Sequence, residues 1–412
     1  MSTSRGHILF LMTTYFAIAH LDRQIINITL EAIGKEFLLN DTQLGLLSGF
    51  AFAIFFSLMT LPFALLANRV SHQKLIASTI GFWSLMTLAS GFAQNFSHLI
   101  LTRIGIGVGE AGVLPVSHAI IARLYQPRER TGALAIFFSG AHVGVATALI
   151  VGGLITQYYG WRVAVQTAAV PGLILAVVIM LTFKIQPSRR SDTDGSHNLK
   201  LVKDTAGTIW RKPELRFMTI GAVLSAITTF GIAAWLPTFL IRAHGMALPS
   251  IGLYAAVSIG FFGAAGAIIA GKIADRLSLR NLAWLAWIPA ICLLFAKPFA
   301  VYGFIVDHKF VALALMLLPA FFSGTYMAST ITVLHENLSE KARPIASAII
   351  LMLVNLIGMS VGPLFVGLVS DLWNDPQNGL SAGLIFLQVF GMAGILAFFL
   401  AGKRLVILSS DL

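Results

Sequence analysis

Charge is scarce in this chain. Of 412 residues, 11% are Asp, Glu, Lys or Arg, less than half of the roughly 25% found in soluble domains, and that excludes an ordinary soluble globular protein. Cysteine is nearly absent. The single Cys292 lies in an apolar stretch, so an intrachain disulfide and a cysteine-based metal cluster are both excluded. His118, His142 and the pair His335-Glu336 lie near or inside apolar stretches, without the H-E-x-x-H spacing of a zinc site, and no metal is expected. There is no Walker motif and no nucleophile elbow, which leaves ATP drive and hydrolysis without visible machinery. Gly107-Val-Gly109-Glu-Ala-Gly112 matches the dinucleotide fingerprint by letter only. It sits within a long apolar run and lacks the strand-loop-helix context, so no cofactor is expected.

Acidic residues are the rarer sign, 17 against 28 basic ones, for a net charge of +11. The excess is spread along polar breaks instead of being gathered with aromatics on one face. Anionic lipid headgroups are therefore its expected neighbours, and nucleic acid is not.

What the chain does have is apolar length. It is 57% hydrophobic, and stretches of about 20 residues, enough to cross roughly 30 Å of hydrocarbon as a helix, recur at 8–28, 43–67, 75–94, 98–122, 132–156, 162–184, 215–240, 250–274, 282–300, 309–334, 344–370 and 381–402. The expected fold is an all-α polytopic membrane protein, with twelve transmembrane helices in two pseudo-symmetric six-helix halves. No small-residue cleavage site follows the first stretch, so that helix is expected to be retained.

With the N-terminus placed in the cytoplasm, the outer borders receive only Lys35, Arg162, Arg242, Lys297 and Lys309. The remaining Lys and Arg, apart from the intramembrane Arg23 and Arg103, fall on inner segments. This positive-inside asymmetry and the even number of spans place both termini in the cytoplasm, as in a multi-pass protein of a bacterial inner membrane. The longest polar break divides the chain into an N-terminal half, 1–185, a cytoplasmic linker, 186–213, and a C-terminal half, 214–412. A short amphipathic helix is expected near 199–210.

The halves repeat. Leu66-Ala67-Asn68-Arg69 after the second stretch matches Ile273-Ala274-Asp275-Arg276 after the eighth. Arg130-Thr131-Gly132-Ala133 at the start of the fifth likewise matches Arg343-Pro344-Ile345-Ala346 at the start of the eleventh. Paired six-helix repeats with a site at mid-depth are a transporter architecture.

Charges inside the spans locate the expected site. A charge at mid-bilayer costs about 2.5–3.5 kcal/mol on insertion scales, so intramembrane ionisable groups face a partner or water. Asp22-Arg23 lies in the first stretch, and Arg103 and Glu110 lie in the fourth. Arg103, Gly107 and Glu110 are spaced i, i+4, i+7 and share a helix face. They span about 10 Å, with Gly107 leaving room for a guanidinium or a ligand. The other glycines of this run equally suit close helix packing. Tyr15, Ala19 and Asp22 share a face of the first helix, and Arg23 stands about 100° further round. Asp22-Arg23 neutralising itself or snorkelling to the interface is the structural alternative.

Over nearly its whole length the chain resembles the major facilitator superfamily, through Ala64-Leu-Leu-Ala-Asn68-Arg69 and the better-preserved Gly271-Lys-Ile-Ala-Asp275-Arg276. Asp22-Arg23, the run from Arg103 to Gly112, and Gly160-Trp161-Arg162 resemble its Spinster-like group. That resemblance implies proton-coupled alternating access and a lysolipid, sphingosine-phosphate-like or other amphiphilic substrate. It also implies a cytoplasmic gate built from Asn68, Arg69, Arg130, Asp275, Arg276 and Arg343. The first gate motif departs from the family pattern: Ala64 replaces Gly, Asn68 replaces Asp, and His72 and Gln73 stand where basic residues are usual. Asn68 can hydrogen-bond but carries no charge, so an asymmetric gate is expected.

The expected function is secondary active transport of an amphiphilic or anionic small molecule by a monomer, with the proton gradient as energy source. Asp22 and Glu110 would couple protons. Arg23, Arg103, Tyr15, Gly107, Phe138 and Trp235 would bind substrate. Phe137, Phe230, Phe261 and Phe262 are further candidates for an apolar wall, with lipid-facing or packing roles as the alternative. An organic-acid or drug transporter of the same fold is the closest rival. A membrane-embedded lipid-modifying enzyme using Asp22 and Glu110 as acid and base is a more distant one.

Overall fold

The computed structural model describes residues 4–67, 70–182, 195–373 and 378–410. The helices are α1 Arg5–Phe37, α2 Asp41–Gly45, α3 Ala51–Ala67, α4 His72–Ser90, α5 Phe96–Glu110, α6 Val113–Leu124 and α7 Pro127–Thr182. After them come α8 Gly195–Arg211, α9 Pro213–His244, α10 Leu248–Ala255, α11 Gly263–Ser278, α12 Trp284–Gly303 and α13 Lys309–Phe322. The last five are α14 Thr325–Glu336, α15 Arg343–Leu353, α16 Met359–Leu372, α17 Gly379–Phe386 and α18 Gln388–Ser410. No strand occurs among the described residues. An all-helical chain follows from apolar segments that must satisfy their own backbone hydrogen bonds in lipid.

Local chemistry sets the helix boundaries. Ser4 caps α1 by accepting from the His7 N–H, and α1 ends at Leu38 in the left-handed conformation. Asn40 and Gln43 form a reciprocal capping box at α2, and Asn95 caps α5 through the His98 N–H. Within α7, Gly160 has φ 85° and ψ 164°, a backbone state that only glycine adopts without strain, so α7 is two helices hinged there. π-Helical segments at Leu46–Phe50 and Ala256–Phe262 fall at corresponding places in the second and eighth stretches, and a third at Val354–Gly358 lies in the eleventh.

Among the described residues, nine helical stretches are long and apolar enough to cross a membrane, one of them the Gly132–Thr182 stretch that Gly160 divides. Helices α1 and α4 occupy the places of the expected first and third spans without meeting that apolar criterion. In α1 the polar residues Asp22, Arg23, Gln24 and Asn27 interrupt the apolar run.

The chain forms two compact units, 1–191 with 236–256, and 192–235 with 257–412. This differs from the expected C-terminal half 214–412, because the end of α9 and all of α10 pack with the first unit. The reason is local. A Cβ at Gly252 would collide with the Leu149 carbonyl of α7, and one at Gly153 would lie 3.0 Å from the Leu248 carbonyl, so these backbones are in direct contact. Arg242 adds ion pairs to Glu31 and Asp41. Residues 186–194 of the expected linker lie outside the described residues. The expected amphipathic helix is present as α8, with Thr205 and Ile209 buried and Val202 and Trp210 exposed.

Small residues bring the membrane helices together, the usual device where lipid supplies no hydrophobic drive. In the first unit Gly140 and Gly144 press α7 against the α1 backbone at Thr13 and Ala17. In the second, Ala222 and Ala226 of α9, Ala286 and Ala290 of α12, and Ile395 and Phe398 of α18 share one buried cluster.

Candidate functional site

Helix α1 delivers Asp22 and Arg23 to different neighbours. The turn of about 100° between adjacent residues directs Asp22 to α4 and Arg23 to α5. Asp22 is fully buried and its Oδ2 accepts the Thr87 hydroxyl at 3.2 Å. Its Oδ1 has no donor in hydrogen-bonding geometry among the described residues, although the Trp83 side chain is adjacent. Arg23 donates through Nε to Glu110 Oε2 at 2.6 Å. Glu110 is fully buried and its second oxygen has no hydrogen-bond partner among the described residues. The self-neutralising Asp22-Arg23 alternative is thereby replaced by a pair reaching across 87 positions of sequence.

Arg103 is 3% exposed and donates through Nε to the Leu47 carbonyl at 3.3 Å. Its guanidinium lies 5.4 Å from the Phe52 ring centre, and Arg23 lies 5.0 Å from the same ring and 4.6 Å from Phe56. Two cations therefore share one aromatic ring, and both are charged neighbours of Glu110. Such cation–π contacts are worth about 0.5–2 kcal/mol each. Phe52 and Phe56 went unnoticed in the sequence, where their i, i+4 spacing beside many other Phe residues gave no distinguishing signal.

Three expected ligand residues have other roles. Tyr15 is buried against α4, its hydroxyl 3.1 Å from Thr79 and its ring 5.2 Å from Trp83. A Cβ at Gly107 would lie 2.6 Å from the Phe52 carbonyl oxygen and 3.3 Å from the Phe56 nitrogen. Its place is filled by the α3 backbone, not by a ligand or a guanidinium. Trp235 is fully buried within the second unit and its indole donates to the Pro363 carbonyl at 2.9 Å. A large ring with a satisfied N–H and no exposed surface is a packing residue. Phe138 keeps its candidacy, being 42% exposed. Phe137 is buried beside it, and Phe261 is an exposed outer residue.

The unit also holds an aromatic and histidine cluster that the sequence left scattered. Phe16 stacks on Phe137 at 4.5 Å and meets His20 edge-on at 4.3 Å, and His118 lies 5.9 Å from Phe137 and 5.7 Å from Phe138. His142 is an electrostatic neighbour of His20. His335, by contrast, contacts Ser347 at 2.8 Å in a local bond of the second unit. No group of three or more His, Cys, Asp or Glu positioned for a metal occurs among the described residues.

Of the expected gate residues, Asn68 and Arg69 lie outside the described residues. Arg130 donates to the Ala122 carbonyl at 2.8 Å and Arg343 donates to the His335 carbonyl at 2.8 Å. Both bonds reach back eight positions to the end of the preceding helix, so the sequence repeat is also a repeat of structure. Asp275 and Arg276 are exposed.

Where α2 follows α1, Arg242 donates to both Asp41 oxygens at 2.9 Å and to Glu31 at 2.8 Å. One guanidinium thus serves two carboxylates that would otherwise repel each other. Nearby, Arg162 and the Trp161 indole both donate to Glu36. The Arg162 bond is the main reason that the Glu36 carboxyl titrates below its usual range.

This geometry can be compared with known proteins. An efflux pump of the major facilitator type from Mycolicibacterium smegmatis is 29% identical over 391 residues, 93% of this chain and 90% of that one. Human protein spinster homolog 1 is 25% identical over 376 residues, 85% of this chain and 70% of that one. A crystal structure of a bacterial homolog of the human lysosomal transporter Spinster, described as inward-facing and unoccupied, superposes with a TM-score of 0.88. It is 24% identical and covers 99% of this chain and 98% of that one. The chain thus shares its fold with Spinster-like transporters. The family model of the Major Facilitator Superfamily matches residues 12–363, and the chain belongs to that superfamily, as a multi-pass membrane transporter and not an enzyme.

Proposed function

We propose that this secondary transporter is driven by protons and moves an amphiphilic or anionic small molecule of the lysolipid or sphingosine-phosphate kind by alternating access. The observation that carries this reading is the buried Arg23–Glu110 pair, with the carboxyl of Asp22 on the next turn face and Arg103 sharing the Phe52 ring. A proton delivered to Glu110 removes its charge and frees Arg23. Arg23 and Arg103 then offer forked donors to a phosphate or carboxylate, and Phe138 offers apolar surface to its chain, while the buried Phe52 and Phe56 rings hold the guanidiniums in place. When the anion leaves, Glu110 gives up its proton and pairs again with Arg23. The Glu110 carboxylate and the substrate anion thus compete for one cation, and protonation of Glu110 passes that cation to the substrate, which is a direct way to couple the two fluxes. Asp22 is a second proton carrier, since among the described residues its buried Oδ1 accepts no hydrogen bond in good geometry. The bilayer is its only other partner: the protein works as a monomer in a bacterial cytoplasmic membrane, with both termini inside.

The test is uptake of labelled lysophospholipid or sphingosine phosphate into proteoliposomes under a pH gradient, with Glu110→Gln beside the wild type. Gradient-driven uptake lost in the variant supports the reading. Equal gradient-driven uptake in both rejects proton coupling at this pair.

A second reading is export of organic acids or drugs, and what favours it is the efflux pump that matches 93% of this chain. It predicts that drug-loaded vesicles lose their content on energisation, while labelled lysolipid does not move.

A further inference from the structure

The Arg23–Glu110 pair does not account for His118. Its Nε2 is buried yet has no hydrogen-bond partner among the described residues, and a buried polar atom left unpaired is destabilising. A protein core would normally avoid that cost. Here the imidazole is held in place by the rings of Phe137 and Phe138, and these lock against Phe16. Phe16 in turn fixes His20, whose Nδ1 lies 3.0 Å from the Phe16 carbonyl. Only an N–H satisfies that carbonyl, so the proton of a neutral His20 is on Nδ1 and Nε2 is left as an acceptor.

The cluster is continuous with the charged site. Phe16, His20 and Arg23 are spaced i, i+4, i+7 on one face of α1, and His20 is a turn from Arg23. His118 follows Glu110 by eight residues, on α6, which starts at Val113 just after α5 ends at Glu110. Phe138 is 42% exposed, so the cluster reaches the surface of the unit.

We propose that His118, with His20 and the rings of Phe16, Phe137 and Phe138, forms a second substrate subsite that binds a free hydroxyl on the chain of the transported anion. This rests on the proposed function, because the arginines take the anionic end. A hydroxyl both donates and accepts, so it satisfies Nε2 of His118 in either tautomer. A bare acyl chain would leave His118 unpaired, and a second charge would be desolvated against three phenyl rings. The aromatic walls suit the carbon skeleton that carries the hydroxyl. Two sources share this chemistry: a lysolipid with a glycerol hydroxyl, and a small hydroxylated acid.

The experiment measures binding to the purified full-length protein with two matched pairs of probes: lysophosphatidate against its deoxy analogue, and gluconate against hexanoate. Wild type, His118→Phe and Arg103→Ala are compared. The expected result is a roughly tenfold preference of the wild type for the hydroxylated member of one pair. His118→Phe abolishes the preference and leaves the deoxy or unhydroxylated probe unchanged, and the responsive pair identifies the source. If His118→Phe does not fold, the smaller His118→Leu is read the same way. A preference that survives loss of the imidazole, or an equal loss for both members of the pair, overturns the subsite. In that case anion binding that still falls in Arg103→Ala leaves the proposed function standing. Failure of the wild type to bind any of the four probes overturns the anion reading and the subsite together.

Discussion

Arg23 Nε lies 2.6 Å from Glu110 Oε2, although Asp22 is its neighbour in sequence. Removing one partner of a buried pair costs more than removing both, because the survivor keeps a charge without compensation. The double variant should therefore lose less stability than the sum of the losses in Glu110→Gln and Arg23→Gln. The expected coupling is about 1–3 kcal/mol, read by thermal unfolding of the three variants in one detergent. Additive losses would mean that the two groups do not act as a unit.

The sequence disclosed this pair only in part. Four charges in apolar stretches identified the residues, and helical geometry separated Asp22 from Arg23 by about 100°. Which carboxylate each would meet depended on how α1, α4 and α5 pack, and no local pattern encodes that. Tyr15, Gly107 and Trp235 show the same limit. A tyrosine, a glycine or a tryptophan inside a membrane helix reads alike whether it faces a ligand or another helix, and here all three face helices. The repeat was more legible, because Arg130 and Arg343 make the same bond to a carbonyl eight residues back, a contact internal to each half. Arg242 was the opposite case. Its partners Glu31 and Asp41 are 211 and 201 residues away, and Arg242 read simply as one of the few outer basic residues.

Phe52 is the ring shared by Arg23 and Arg103, so Phe52→Leu keeps the bulk of the core and removes the π face. Two lost contacts of about 0.5–2 kcal/mol each should weaken retention of both guanidiniums. Binding of an anionic probe is expected to fall several-fold, while a neutral amphiphile of the same chain length is little affected. The pair of dissociation constants for the two probes decides. Equal losses would make Phe52 a wall residue and not a support for the cations.

Gly107→Ala tests the packing role of that glycine. The added methyl would lie 2.6 Å from the Phe52 carbonyl, and backbone cannot step aside as a flexible side chain does. A loss on the order of 1–3 kcal/mol is expected, as for other overpacked sites. Gly132→Ala is the control, since nothing lies within 4 Å of a Cβ there. Melting temperatures of the two variants separate the roles: unaltered stability in Gly107→Ala, with weakened ligand binding, would restore the ligand-facing reading.

Glu36 supplies a pH dependence at the C-terminal end of α1. Its hydrogen bond from Arg162, aided by Trp161, lowers its carboxyl below the ordinary value. A group whose folded pKa is depressed contributes stability that is complete above its unfolded value, about 4.3, and lost as pH falls through the folded value. Glu36→Gln should therefore cost on the order of 0.2–1 kcal/mol at pH 7, the range for exposed ion pairs. The difference from wild type should shrink as the pH falls below about 4. A gap that stays constant down to acid pH would assign the effect to the Trp161 contact alone.

Arg242 tests why 236–256 packs with the first unit. Its fork holds both oxygens of Asp41 and one of Glu31, and all three side chains are largely buried. Arg242→Ala leaves two carboxylates facing each other without their common cation, at a cost of about 3 kcal/mol, the lower end for breaking a buried pair. Because the backbone contacts at Gly252 and Gly153 persist, the damage should be local. Amide hydrogen exchange should quicken across 236–256 and at the start of α2, while α12 in the other unit keeps its protection. Arg242→Lys retains the charge but not the fork, and its exchange should fall between the two. If Arg242→Ala left exchange in 236–256 unchanged, the small-residue contacts with α7 would suffice to dock this segment. The three charges would then serve only to neutralise one another.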